Sequence, residues 1–269
     1  MYEHLLVALL LLLAGLGIVM YRIIMSPEMK YHSFWYRIKA KTLFFFGRIR
    51  RLENFPWVTW AVIGHKIDYR DVRKATAAAR PGDVGLHTDG GFLINCGIPG
   101  TFKHAWIVVD DHYCVEANQN GVLHRDEMFP LASDYAVLLR PKGVTPADVS
   151  VATGRAKSIV GCEYDANFKF NLEEADEELK RYTRNIFAGK FHQAFSCTET
   201  VAFAWYHKKD ELSIFRTVYA GREAIVADDY LRMHFDVVWA SPSVTPEWLK
   251  KSGMHEQGRA KIAEFLAKK

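Results

Sequence analysis

The chain has 269 residues, 49% of them hydrophobic and 25% charged, which excludes a disordered or fibrous protein and leaves room for one sizeable domain plus an appendage. The formal charge of +4 is concentrated early, with eight Lys and Arg between Arg22 and Arg51 against one acid, Glu28. Beyond residue 51 there are 27 basic and 29 acidic residues, a near-neutral balance that argues against a nucleic-acid partner.

From Leu5 to Tyr21 the chain reads LLVALLLLLAGLGIVMY without a charge, and Ile23, Ile24 and Met25 extend the run past Arg22. At a helical rise of about 1.5 Å per residue this length reaches the ~30 Å hydrocarbon core of a bilayer. Met1-Tyr2-Glu3-His4 lacks the basic residues of a signal peptide, and no A-x-A-like cleavage site follows. Residues 1–25 are therefore expected to be a retained transmembrane helix. The Lys and Arg excess on its C-terminal side places the rest of a single-pass membrane protein on the cytoplasmic side.

Residues 26–60 form a basic, aromatic juxtamembrane segment. Within it, Lys30–Leu52 interleaves Phe34, Trp35, Tyr36, Phe44, Phe45 and Phe46 with Lys and Arg. That composition suits a helix lying among lipid headgroups, and equally a helix packed on the domain with a solvated basic face. Pro56–Trp60 reads as a short aromatic connection, after which one globular domain is expected over residues 61–269.

Short β-rich runs bounded by Gly, Pro or Asp predict strands at Val84–His87, His104–Val109, Tyr113–Glu116 and Tyr135–Arg140, the body of an antiparallel sheet. Helical periodicity falls at Ala147–Val160, Leu172–Phe187, Cys197–His207 and Pro246–Lys269. Val226–Ser241 reads as a short helix followed by a strand at Phe235–Trp239. The predicted class is α+β with packed helices.

The four cysteines, Cys96, Cys114, Cys162 and Cys197, stand at wide, irregular spacing with no C-x-x-C pair. This argues against a zinc site and a disulfide framework, and free thiols fit a reducing compartment. Cys197 stands apart because Ser196, Glu199 and the apolar run Val201, Phe203, Ala204, Trp205 form a capping-box signature. Cys197 then becomes the first helical residue, where the helix dipole and unpaired N–H groups favour a thiolate and can serve an oxyanion. Glu199 is expected to act as the reciprocal cap rather than in chemistry.

His104 opens a predicted strand, and Glu116 lies on the next strand after a tight turn at Asp110-Asp111, placed to fix the tautomer of a base. His112, His124, His192 and His207 are the other histidines considered as bases. None of them opens a core strand with an acid on the partner strand. Cys114 and Cys162 read as core residues, and Asp165 as a turn or capping residue.

The ordered set Ala79-Arg80-Pro81-Gly82-Asp83-Val84, Ile98-Pro99-Gly100-Thr101-Phe102-Lys103-His104-Ala105, Val115-Glu116-Ala117, Gly161-Cys162-Glu163-Tyr164-Asp165 and Cys197 resembles the permuted papain-like amidases of the YiiX branch of the NlpC/P60 superfamily. The resemblance covers about residues 76–240. It implies a circularly permuted papain-like fold with Cys197 as nucleophile, His104 as base and Glu116 as orienting acid. Tyr164 would line the substrate site or assist the oxyanion. Thr198 and Thr200 stand where most members have Ser and a small or aliphatic residue.

The expectation is a membrane-anchored cysteine hydrolase of amide or (thio)ester bonds, needing no cofactor or metal. Its substrate would be a peptide, a peptidoglycan-derived peptide or an acylated lipid. A non-catalytic membrane adaptor and a secreted cell-wall hydrolase are the alternatives, the adaptor carrying a blocked or misaligned cleft.

Overall fold

Alternation along β-rich runs decides the architecture, because successive side chains on a strand point to opposite faces. In the computed structural model the described residues are 66–90, 95, 98–126, 128–131, 133–165, 173, 176–177, 194–219 and 222–268. Residues 34, 38, 41–42, 49–51 and 58–60 precede them. The apolar run Leu5–Tyr21 and nearly all of the expected helix Leu172–Phe187 lie outside this set. Among the described residues no helix is long and apolar enough to cross a membrane.

In chain order the elements are β1 (Ile49–Arg51), β2 (Val58–Trp60), α1 (Tyr69–Ala78), β3 (Val84–Thr88), β4 (His104–Val108), β5 (Tyr113–Asn118), β6 (Gly121–Asp126), α2 (Met128–Leu131), β7 (Tyr135–Pro141) and α3 (Pro146–Ser158). Then follow α4 (Cys197–Ala204), a 3-10 turn at Tyr206–Lys208, β8 (Thr217–Tyr219), β9 (Arg222–Ala224), a 3-10 turn at Ala227–Leu231, β10 (Phe235–Ala240), α5 (Pro246–Lys251) and α6 (Glu256–Ala267).

Six strands form one antiparallel sheet in the order β10-β7-β3-β4-β5-β6. One face carries Val84, Leu86, Ala105, Ile107, Val115, Ala117, Val137 and Leu139 against α3, α4 and the C-terminal helices. The other carries Trp106, Val108, Cys114, Ala136 and Leu138 against α1 and α2. The chain is thus α+β, with an antiparallel sheet between two helical layers. On β10 a bulge between Val237 and Trp239 switches faces, so that Phe235 and Val237 join the first core and Trp239 the second.

Gly85 of β3 has Trp106 directly opposite on β4, and a Cβ at Gly85 would overlap the buried indole. Gly85→Ala is expected to destabilise the fold by about 3 kcal/mol, since the ring has no room to retreat. Urea denaturation with an unchanged slope is the check.

Several elements correct the sequence reading. Phe34, Ile38, Lys41 and Thr42 are helical, but the expected juxtamembrane helix does not run on to Leu52: Ile49–Arg51 pairs with Val58–Trp60 as an antiparallel strand. The C-terminal helix is two helices: extended Ser252 ends the first, Gly253 lies between them, and Met254 joins the buried core with Leu249 and Ile262. The helix from Cys197 ends at Ala204 and tightens into the 3-10 turn. Strand β6 and helix α1 were not foreseen. Asn120-Gly121 is a strong hairpin signal, and Gly121 takes φ +94 with the Cys162 carbonyl pressed against its α-carbon.

Candidate active site

Helix α4 packs across β4 and β5 and begins at Cys197. Its start is fixed by a complete capping box: the Ser196 N–H donates to Glu199 Oε2 at 2.7 Å, and the Glu199 N–H reaches Ser196 Oγ at 3.5 Å. Tyr230, fully buried below, donates its hydroxyl to the Thr198 carbonyl at 2.6 Å. Cys197 is buried to 7% exposure, yet its sulfur meets the His104 ring and accepts from the Ala105 and Thr198 N–H groups. The β4–β5 ladder begins only at Trp106↔Glu116, so the Ala105 N–H is not taken by it.

His104 stands at the first position of β4, its side chain 19% exposed, and Nε2 lies 2.9 Å from Glu116 Oε2. Nδ1 is thereby left for the sulfur. The other Glu116 oxygen accepts from Asn118 Nδ2 and Arg125 Nη1, each at 2.8 Å. Strand pairing explains the cluster: Arg125 faces Cys114, two positions from Glu116, so the guanidinium and the carboxylate share one face.

The loop before His104 is held from far along the chain. The Asp228 carboxylate accepts the Thr101 N–H at 2.7 Å and the Phe102 N–H at 2.8 Å, and Gly100 turns over it at φ +84. Lys103 closes the same loop by donating to the Ile98 and Gly100 carbonyls.

The charges follow from these contacts. Burial raises the Cys197 thiol, but the His104 imidazolium beside it, helped by the Ala105 and Thr198 N–H groups, brings it below the ordinary cysteine value. Burial lowers His104, and the Cys197 thiolate followed by Glu116 overrides this to raise it to about 10. Burial raises Glu116, while His104, His87 and Arg125 lower it to about 2. These shifts favour a thiolate–imidazolium pair beside an ionised Glu116.

Cys197, His104 and Glu116 are therefore brought together by the fold. Tyr164 is joined to the site through the backbone: it forms a parallel bridge with Phe195, two residues before Cys197, and packs its half-buried ring on the main core. Asp165 is fully buried, and its charge, after burial itself, pushes Glu199 well above the usual carboxylate range. That buried neighbour is more than the turn or capping role expected of it. His124 faces Asp110 and Tyr113 at the surface, exposed His112 lies in the β4–β5 turn, and His207 contacts the Asp148 carbonyl at the far end of α4. His192 lies outside the described residues. Cys114 is buried and Cys162 half-buried against the core.

Arg125, Asn118, Asp228 and His87 escaped sequence reasoning. For Arg125 the signal was the Asn120-Gly121 turn, which implies β6; for Asp228 there was none in sequence. Among the described residues no group of three or more His, Cys, Asp or Glu is arranged to hold a metal ion. No protein-family model, curated protein or solved structure matches the chain.

Proposed function

We propose that this chain is a cysteine hydrolase of amide or (thio)ester bonds with a Cys197-His104-Glu116 triad, working through an acyl-enzyme. The observation that carries the reading is one imidazole joined by Nε2 to a buried carboxylate and by its other nitrogen to a thiol at a helix start. The Cys197 thiolate attacks the substrate carbonyl carbon. The oxyanion takes the Cys197 N–H, which as the first helical residue has no intrahelical acceptor. The His104 imidazolium gives its proton to the departing amine, thiol or alcohol, leaving a thioester on Cys197. Neutral His104 then removes a proton from water, hydroxide adds to the thioester, and the carboxylic acid leaves as the thiolate and imidazolium reform. Glu116 stays ionised throughout and holds the ring.

The order of the residues, base before nucleophile, and the ordered motifs support a circularly permuted papain-like fold of the NlpC/P60 type, with Tyr164 lining the site or assisting the oxyanion. The apolar run Leu5–Tyr21 and the basic stretch after it support a single-pass membrane anchor with the catalytic domain on the cytoplasmic side. They favour a membrane-associated acyl substrate over a free peptide. The contact between the Cys197 sulfur and the His104 ring favours this reading over a binding-only adaptor with a misaligned cleft.

The test is turnover of a panel of peptide amides, N-acyl amines, thioesters and phospholipids, with Cys197→Ala as the blank. At least one class is expected to be hydrolysed only by the wild type, with an acyl mass increment on Cys197. Equal turnover by both proteins across the panel sinks the reading.

A further inference from the structure

The Nε2–Glu116 hydrogen bond and the attachment at Cβ hold the His104 ring at two points, so the motion to be restrained is rotation about the line through them. A further constraint is needed to keep the other nitrogen on Cys197. His87 supplies a candidate surface, because it stands directly opposite His104 in the β3–β4 register, on the same face of the sheet. The two ring centroids are 4.7 Å apart at an interplanar angle of 45°. The Lys103 N–H donates to the His87 carbonyl at 3.0 Å, which ties the residue before His104 to the same point on β3.

We propose that His87 is a positioning residue for His104: its ring, laid against the imidazole across the β3–β4 ladder, stops the rotation that would take Nδ1 away from Cys197. This rests on the thiol–imidazole reading of the site. Among the described residues, the charged and titratable groups near His87 include His104 on β4, Glu116 on β5 and, beyond Glu116, Arg125 on β6; Ala136 stands opposite it on β7. The action assigned to His87 is that of a flat face, so another aromatic ring can replace it and an aliphatic side chain of similar bulk cannot.

The experiment is the pH dependence of iodoacetamide labelling of Cys197 in the full chain, for the wild type, His87→Phe, His87→Leu and His104→Ala, with melting temperature recorded alongside. His87→Leu is expected to raise the midpoint of labelling by about one pH unit. His87→Phe is expected to keep the wild-type midpoint, both variants melting near the wild type. His87→Asn replaces the Leu variant if that one fails to fold. A wild-type midpoint in the Leu or Asn variant overturns the inference. So does a Phe variant shifted as far as Leu, which assigns the effect to the His87 nitrogens. Labelling of His104→Ala at the wild-type rate removes the thiol–imidazole pair itself, a result separate from either.

Discussion

His104→Ala is expected to slow iodoacetamide labelling of Cys197 at pH 7 by at least about tenfold, and to lower any hydrolytic turnover by about a thousandfold. The imidazolium is what brings the thiol down against burial, which by itself raises it. Without that charge, an ordinary cysteine is only a few per cent ionised at pH 7, and a buried one less still. The gain falls short of the full change in thiolate fraction because a more basic thiolate is also the better nucleophile. Rates are to be read by intact mass over a pH series. In the wild type, labelling should persist well below the pH at which free cysteine falls silent. Equal labelling of the two proteins at pH 7 means that the pair seen in the structure does not govern the sulfur.

Glu116→Gln is expected to remove about 3 kcal/mol of stability at pH 7 and to flatten the acid side of the stability curve. Glu116 is held at about 2 in the folded protein against an ordinary 4.5, and its side chain is 6% exposed, so little solvent screens the contacts responsible. A depressed carboxylate contributes fully above its unfolded value and loses that contribution as the pH falls through its folded one. The wild type should therefore weaken between about pH 5 and pH 2, and the Gln variant should lose less over that window. His104 acts with the opposite sign: raised to about 10 from 6.5, its share is complete below pH 6.5 and is lost as the pH climbs through 10. Urea midpoints at pH 7 and pH 3 for both proteins decide the matter. A Gln variant that loses as much between them as the wild type shows that Glu116 is not the group titrating.

Much of the site was legible because its parts obey local rules. Ser196 and Glu199 announce a helix start by composition alone, and the structure forms that box as written. His104 and Glu116 were placed on neighbouring strands by a short turn, and β4 pairs with β5 accordingly. What failed was non-local or locally ambiguous. The run Gly121–Asp126 carries His124, Arg125 and Asp126, too polar to read as a strand until its edge position in the sheet is known, and with it went Arg125. Asp228 reaches the loop before His104 only through the folded chain, a contact that no periodicity encodes. The tail was read as one helix because its amphipathic pattern runs across Gly253, whereas the helix is broken there and Met254 joins the core. The permuted topology is proposed from motif order alone, whereas the α+β class and its antiparallel sheet are what the structure shows.

The Asp228 clasp also bears on how the protein comes into being. Strands β3 to β6 form a meander whose contacts are short in sequence, so His104, Glu116 and Arg125 can find one another while the chain is still being made. Cys197 and Asp228 arrive later, and β10 closes the far side of the sheet against β7 later again. A growing chain thus carries an acid and a base without a nucleophile, then a nucleophile without the clasp that seats its base. The contact of Cys197 with His104 and the Asp228 clasp are the long-range closures of the site, spanning far more chain than the hairpins they join.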